Sequence, residues 1–271
     1  MNIIGLGNCG CNIAQLFAQY PQYNLYLFDS EERKDGYIIP PQNTIEEYEN
    51  NFPEEKVRQA LQNFYGDALL ILSSAGKIAG ATLRLASLLH NPTVALVLED
   101  PQILTAHSAA RERCIAGVLQ EYARSGCFKK IILIRNSTLA ELLGGIPIAK
   151  YHEFINKYIV NCLHMINIFE HTRPIIGNWS EPVESARIWT FGTTPFEPLS
   201  HSGVFEIAHA RQIDFYFGIP QIQLESDGAL LGKIKKSLQK TGQHATYRVY
   251  STQYDEPIIY FMASTNLIQD V

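Results

Sequence analysis

Met1-Asn-Ile-Ile-Gly-Leu-Gly-Asn-Cys-Gly-Cys-Asn12 is the stretch of sequence that decides the fold. The mostly apolar run Asn2–Leu6 predicts a β-strand, and the apolar residues of Ile13–Phe17 begin a predicted helix. Three glycines lie at the end of this strand and directly after it: Gly5, Gly7 and Gly10. Glycine permits positive φ and leaves room for a ligand. A strand, a glycine turn and a helix in this order place backbone N–H groups where they can bind a phosphate. We therefore expect an α/β nucleotide-binding fold.

Composition narrows the class of protein. The 271 residues are 46% hydrophobic and 18% charged, which is typical of a globular protein. The net charge is −5, so we expect no nucleic-acid partner. No apolar run reaches the roughly 20 residues that a membrane-spanning helix needs. The five cysteines lack the spacing of a disulfide framework or a zinc site, so we expect a cytoplasmic protein without a bound structural metal.

The first part of the chain alternates between strand and helix patterns. Predicted strands at 24–28, 68–72, 93–98 and 130–134 alternate with predicted helices at 53–65, 81–90 and 106–125. Residues 31–51 are polar and indicate a long surface connection. This order favours a doubly wound parallel sheet with right-handed crossovers.

The second part has a different character. A long buried central helix is predicted at 148–169, and a smaller α/β unit follows it. The predicted strands of that unit are 185–191, 214–219, 246–252 and 257–264, and its predicted helices are 202–210 and 228–240. Gln253–Glu256 predicts a hairpin between the last two strands. We expect a first domain at 1–170 and a second at 171–271.

The first loop alone leaves two functions open. Gly5-Leu-Gly-Asn-Cys-Gly10 satisfies the G-x-G-x-x-G pattern, and Asp29 at the end of the second predicted strand could bind a ribose hydroxyl pair. Together they favour an NAD(P)-dependent oxidoreductase. The motif does not specify which nucleotide is bound, and a tight turn without a ligand is the alternative.

Other motifs favour a different family. Gly7-Asn-Cys-Gly-Cys-Asn-Ile13 resembles the first nucleotide loop of the tubulin/FtsZ superfamily, which runs G-Q-C-G-N-Q-I in tubulins. That resemblance implies that the GTP phosphates are surrounded by Gly7, Asn8, Cys9, Gly10, Cys11 and Asn12. Ile134-Arg-Asn-Ser-Thr-Leu139 is similar to the family's I-P-N-x-x-L, which implies a nucleoside contact for Asn136. The predicted long helix stands where the family has its central helix.

The second glycine loop departs from the family. Its pattern G-G-G-T-G-T/S-G is replaced here by Ser74-Ala-Gly-Lys-Ile-Ala-Gly80. Gly76, Lys77 and Gly80 are the matching candidates for phosphate binding, but the threonine hydroxyls are lost. A further glycine-rich loop is replaced by residues 43–52. The resemblance with these departures implies weak or lost GTP hydrolysis.

Two acids follow the central helix. The family has a D-x-x-D loop that enters the next subunit's site, and Glu181 and Glu184 match its spacing. The resemblance implies a catalytic role for both. On a helical turn this i, i+3 spacing would place them on one side. The alternative is that they serve only to start a helix.

The resemblance implies a short prokaryotic or phage tubulin-like protein. It implies GTP or GDP as ligand, with Mg²⁺ as a candidate companion, and head-to-tail filaments of the chain with itself. A nucleotide-free structural homologue and the NAD(P)-dependent oxidoreductase are the alternatives.

Overall fold

A computed structural model describes residues 1–241 and 244–271, and it divides into two compact units. The first unit comprises residues 1–160 with 268–271, and the second comprises 161–267. The division lies inside the long helix, whereas the sequence places the boundary after residue 170. No helix in the described part of the chain is long and apolar enough to cross a membrane.

The first unit is built on six parallel strands. They are β1 (Asn2–Leu6), β2 (Asn24–Asp29), β3 (Gly36–Ile38), β4 (Ala68–Ser73), β5 (Thr93–Leu98) and β6 (Lys130–Arg135), in the order β3-β2-β1-β4-β5-β6. All five residues of β1 are buried, as expected for a central parallel strand covered on both faces. The order reverses direction at β1 and β4, which confirms the predicted doubly wound α/β sheet.

Helices connect these strands. They are α1 (Gly7–Leu16), α2 (Ile45–Asn50), α3 (Glu54–Ala60), α4 (Thr82–Ser87), α5 (Ala106–Arg124) and α6 (Asn136–Leu143), followed by α7 (Tyr151–Glu170). The segment 31–51 is more ordered than predicted, because it contains β3 and α2. Thr44 caps α2 by accepting the Glu47 N–H at 3.1 Å, and Glu47 in turn accepts the Asn43 N–H at 2.8 Å. This reciprocal arrangement closely resembles a capping box and explains a helix of only six residues.

Residues 268–271 belong to the first unit although they follow the second in sequence. Gln120 on α5 and Gln269 are both buried. The Gln120 amide donates to the Gln269 carbonyl at 3.1 Å, and the Gln269 N–H donates back to Gln120 Oε1 at 2.8 Å. This pair satisfies one side-chain amide and one peptide group in the interior.

The second unit has a mixed sheet. Its strands are β7 (Ile176–Gly177), β8 (Ile188–Thr194), β9 (Gln212–Pro220), β10 (Ala245–Thr252) and β11 (Ile258–Thr265), in the order β8-β11-β9-β10-β7. Helices α8 (Gln221–Ser226) and α9 (Leu230–Lys240) link β9 to β10, which run parallel. The predicted hairpin between the last two strands is wrong, because β9 lies between β10 and β11 and pairs with both. All nine residues of β9 are buried, so this strand takes the central position.

The helix predicted at 202–210 is also wrong. This segment is irregular, and Gly203 packs so closely that an added Cβ would lie 2.6 Å from the Phe191 carbonyl oxygen. Val204 and Phe205 are buried side by side, so consecutive residues fill the core instead of one helical face. The predicted long helix is present as α7, and Phe169 near its end stacks on Tyr250 with ring centroids 4.5 Å apart.

Candidate functional site

The N terminus of α1 forms one wall of a cavity in the first unit. Strand β1 ends at Leu6, and Gly7 turns the chain with φ of +71° before α1 begins. The N-cap residue, Leu6, has an apolar side chain and makes no capping hydrogen bond. Its first N–H groups therefore need partners from a ligand or solvent, and the helix dipole favours an anion there.

The second glycine loop forms the other wall. The cavity has a volume of about 320 Å³ and is lined from three segments of the first unit: residues 6–9, residues 73, 75, 76 and 78, and Glu99. The structure thus brings Gly7, Asn8 and Cys9 together with Gly76, as the motifs indicated. Arg111 on α5 holds the second loop by donating to the Ala75 carbonyl at 2.6 Å. Lys77 is exposed and does not line the cavity.

Two of the motif glycines serve packing. A Cβ on Gly10 would lie 2.1 Å from the carbonyl oxygen of Ile71 in β4. A Cβ on Gly80 would lie 2.0 Å from the carbonyl oxygen of Ile45 at the start of α2. Neither distance is possible unless the backbone moves. Gly10 is therefore needed for the close approach of α1 to β4, and Gly80 for the close approach of its turn to α2. Neither glycine lines the cavity.

Arg33 joins three of the predicted site residues. Its Nε donates to Asp29 Oδ2 at 2.6 Å, its Nη1 donates to Asn12 Oδ1 at 2.9 Å, and its Nη2 donates to Asn8 Oδ1. The other Asp29 oxygen accepts the Ser30 N–H at 2.8 Å. Both carboxylate oxygens of Asp29 are therefore occupied within the chain. Arg33 is not among the residues predicted from sequence, although its i, i+4 spacing from Asp29 is a signal that indicates an ion pair.

The two loop cysteines are neutral thiols. Cys11 is buried, and its Sγ lies 3.4 Å from the carbonyl oxygens of Gly5 and Phe28, so it faces the interior. Burial, with a smaller contribution from the Asp29 charge, raises the pKa of Cys11 to about 12. Burial also raises the pKa of Cys9 to about 12, with a further contribution from Glu99. Only Cys9 lines the cavity.

A polar network lies beside the cavity at the carboxyl ends of β4, β5 and β6. Glu112 is buried and accepts the Ser74 hydroxyl at 2.8 Å and the Glu99 N–H at 3.0 Å. Burial raises the pKa of Glu112. Glu99 accepts the Asn136 side-chain amide at 3.0 Å. The buried Oδ1 of Asn136 has no hydrogen-bond partner among the described residues.

The acids after the central helix lie in the second unit. Glu181 and Glu184 are exposed on an irregular segment, so the prediction that they share one side of a helical turn is wrong. The Glu184 side chain is 93% exposed and lies 3.6 Å from Arg187. An ion pair at this distance whose carboxylate is so exposed adds little stability.

Comparison with known proteins gives the fold. The chain matches no protein-family model and no curated protein. It is similar to TubZ from Bacillus thuringiensis serovar israelensis, solved as a GTPγS-form protofilament, with 14% identity over 99% of this chain and 87% of that one and a TM-score of 0.74. It is similar to a GTPγS-bound protofilament of CetZ2 from Haloferax volcanii, with 11% identity over 97% and 92% and a TM-score of 0.75. An empty FtsZ dimer from M. jannaschii shares 10% identity over 97% and 87% with a TM-score of 0.68. These likenesses show that the chain has the tubulin/FtsZ fold.

Proposed function

We propose that this protein is a filament subunit that binds GTP or GDP, with the phosphates at the N terminus of α1, and hydrolyses GTP weakly or not at all. The observation that carries the proposal is the cavity between this uncapped helix end and the second glycine loop. Support also comes from TubZ and CetZ2, which share the fold and were solved as GTPγS protofilaments.

The residues present fit a nucleotide with a compensating cation. The helix end offers backbone N–H groups, and Gly7 and Gly76 leave the cavity wall without side chains. The unpartnered oxygen of Asn136, one hydrogen bond away from Glu99, could accept an N–H or O–H of the nucleoside. The negative charge of the Glu99 carboxylate would repel the phosphates of a nucleotide. Mg²⁺ bound to those phosphates would offset this repulsion.

Weak hydrolysis follows from the missing donors. Catalysis of phosphoryl transfer depends on groups already aimed at the developing charge. Where the family has threonine hydroxyls, this chain has Lys77, which is exposed, and Ala79, which is buried. The remaining candidate groups are Glu181 and Glu184, acting on a neighbouring subunit's nucleotide in a head-to-tail contact.

The first experiment is a ligand panel read by thermal unfolding. We expect GTP and GDP to raise the melting temperature and ATP, NAD and NADP to leave it unchanged, since a ligand at a hundred times its Kd adds about 2.7 kcal/mol. Gly76→Glu should remove the effect: a Cβ there has no non-local neighbour closer than 3.9 Å, so the fold tolerates it while the cavity gains a negative charge. Gly117→Glu on α5, where a Cβ meets nothing within 4 Å, is the matched control.

A shift caused by NAD instead of GTP would favour the oxidoreductase. That outcome would require Asp29 to give up Arg33 or Ser30 in order to bind a ribose. Polymers that form equally well without any nucleotide would favour the nucleotide-free structural homologue.

The second experiment tests assembly and turnover together. We expect GTPγS to promote sedimentation of polymer, and any phosphate release from GTP to rise per subunit with protein concentration. The Glu181→Ala/Glu184→Ala and Gly76→Glu proteins should each be inactive but partly restore turnover when mixed, because one supplies the cavity and the other the acids. Co-assembly without restored turnover would show that the two glutamates have no catalytic role.

A further inference from the structure

A second cavity lies wholly in the second unit and has an unusual lining. Its volume is about 810 Å³, and four of its lining side chains are basic or imidazole groups: His201, His209, Arg211 and His244. The other described lining residues are apolar. We call these four side chains the basic cluster.

Sheet pairing holds two members of the basic cluster at one edge of the unit. Arg211 directly precedes β9, and its N–H donates to the Ser264 carbonyl of β11 at 2.7 Å. His244 directly precedes β10, and its carbonyl accepts the Ile213 N–H at 3.0 Å. Distant segments of sequence therefore converge on this cavity through backbone hydrogen bonds of the sheet.

His209 is held in a backbone conformation that few residues adopt. Its φ is +55°, in the left-handed region, where histidine is enriched relative to most side chains but still uncommon. The Thr265 hydroxyl donates to the His209 carbonyl at 3.1 Å and fixes this conformation. Such a conformation persists only where the surroundings maintain it.

The Arg211 guanidinium is oriented but only partly used. Its Nε donates to Asn266 Oδ1 at 3.1 Å. Across residues 1–241 and 244–271, its two terminal nitrogens have no hydrogen-bond or carboxylate partner. A guanidinium held in this way presents a fork of donors that matches two oxygens of a phosphate.

Charge and size define the ligand. The chain has a net charge of −5, yet the described lining of this cavity contains no carboxylate, so the local field favours anions. The volume suits a small molecule rather than a single inorganic ion. We propose that this cavity binds a phosphate-bearing small molecule, with the phosphate oxygens held by Arg211 and by imidazole N–H groups of the basic cluster.

The test uses inorganic pyrophosphate as probe and isothermal titration calorimetry as readout. All proteins carry Gly76→Glu, which blocks the cavity of the first unit and so makes the result independent of the proposed nucleotide site. We expect saturable binding in this background. Adding Arg211→Gln and His244→Gln should weaken it at least about tenfold, because hydrogen bonds between charged partners are lost.

The matched control removes the same residue types elsewhere. His107→Gln with Arg113→Gln, both exposed on α5, should leave the affinity unchanged. His209→Asn provides a second, independent variant, because asparagine also tolerates the left-handed conformation; it should weaken binding while leaving the melting temperature near that of the parent.

Three outcomes would overturn the proposal. The first is no binding of pyrophosphate in the Gly76→Glu background. The second is equal weakening by the control pair, which would indicate a response to net charge alone. The third is binding of malonate as tight as that of pyrophosphate, which would show that the cavity does not select phosphate.

Discussion

Four glycines of the two glycine loops fall into two regions with different roles. Gly7 and Gly76 line the cavity, where the absence of a side chain leaves room for a ligand. Gly10 and Gly80 lie against the backbone of neighbouring elements, where no Cβ fits. A glycine pattern in sequence therefore combines two physical requirements, and only the first concerns binding. Substitutions of the glycines in the two regions should therefore have different effects on stability.

The largest effect is expected in the packing region. Gly80→Ala would bring a methyl group to 2.0 Å from the Ile45 carbonyl, so α2 or the turn must move. We expect a loss of about 3 kcal/mol in the free energy of unfolding, the upper end for overpacked sites. Urea denaturation measures it, with Gly117→Ala as control; that change in a helix interior should add about 0.5–1 kcal/mol. A Gly80→Ala protein as stable as the parent would contradict this division of the glycines.

The next effect concerns the ion pair beside the cavity. Arg33→Gln removes the cation that holds Asn8, beside the cavity, to the buried Asp29. Because the Arg33 side chain is only 14% exposed and that of Asp29 only 5%, we expect a loss of about 1–3 kcal/mol. Arg58→Gln, at an exposed ion pair with Glu54, should change stability much less. Equal losses in the two variants would mean that Arg33 has no special structural role.

A smaller effect should depend on pH. Burial raises the pKa of Glu112 in the folded protein, so the folded state binds its proton more tightly than the unfolded state. The contribution of Glu112 to the free energy of unfolding is therefore complete at pH values below the pKa of glutamate in the unfolded chain, about 4.3. This contribution is lost as the pH rises through the raised pKa of Glu112 in the folded protein. Glu112→Gln should therefore gain stability relative to the parent over this rise, whereas exposed Glu49→Gln should not. Denaturation curves measured from pH 4 to 8 give the comparison, and parallel pH profiles would contradict it.

The smallest effect is expected at Gly76 in the cavity wall, and Gly7 in the same wall provides the contrast. Gly76 has φ of −76° and ψ of 144°, which alanine adopts readily. Gly76→Ala should therefore add about 0.4–1 kcal/mol by restricting the unfolded chain. Gly7→Ala should instead destabilise by about 1–2 kcal/mol, because Gly7 has φ of +71° and its added Cβ would lie 2.6 Å from Ile78 Cγ2. Thermal unfolding of both variants measures these changes. A loss of stability in Gly76→Ala would contradict the expectation that the backbone at Gly76 accepts a side chain.

The features predicted correctly are those that depend on neighbours in sequence. The turn at Gly7 follows from a strand, a glycine and an apolar helix within twelve residues. The parallel sheet follows from the repeated alternation of elements. The alternation of strands and helices in the first unit could therefore be predicted except for β3, α2 and α6. Gly7, Asn8, Cys9 and Gly76 could be placed at one cavity.

The features missed depend on which strands become neighbours. Glu99 follows β5 and Asn136 follows β6, and these residues meet because the two strands are adjacent in the sheet. The failed hairpin has the same origin: β9 inserts between strands that are consecutive in sequence. The helix predicted at 202–210 is wrong for another reason. Val204 and Phe205 resemble part of a helical pattern of apolar residues, but both are buried in an irregular segment.

The buried amide pair of Gln120 and Gln269 has a consequence for synthesis. Residues 268–271 are translated only after the whole second unit, yet they complete the interior of the first. An emerging chain must keep the Gln120 amide and its surroundings unfinished while residues 161–267 are made. The first unit therefore cannot complete this part of its interior until the second unit has been translated, although N-terminal units generally fold first during synthesis.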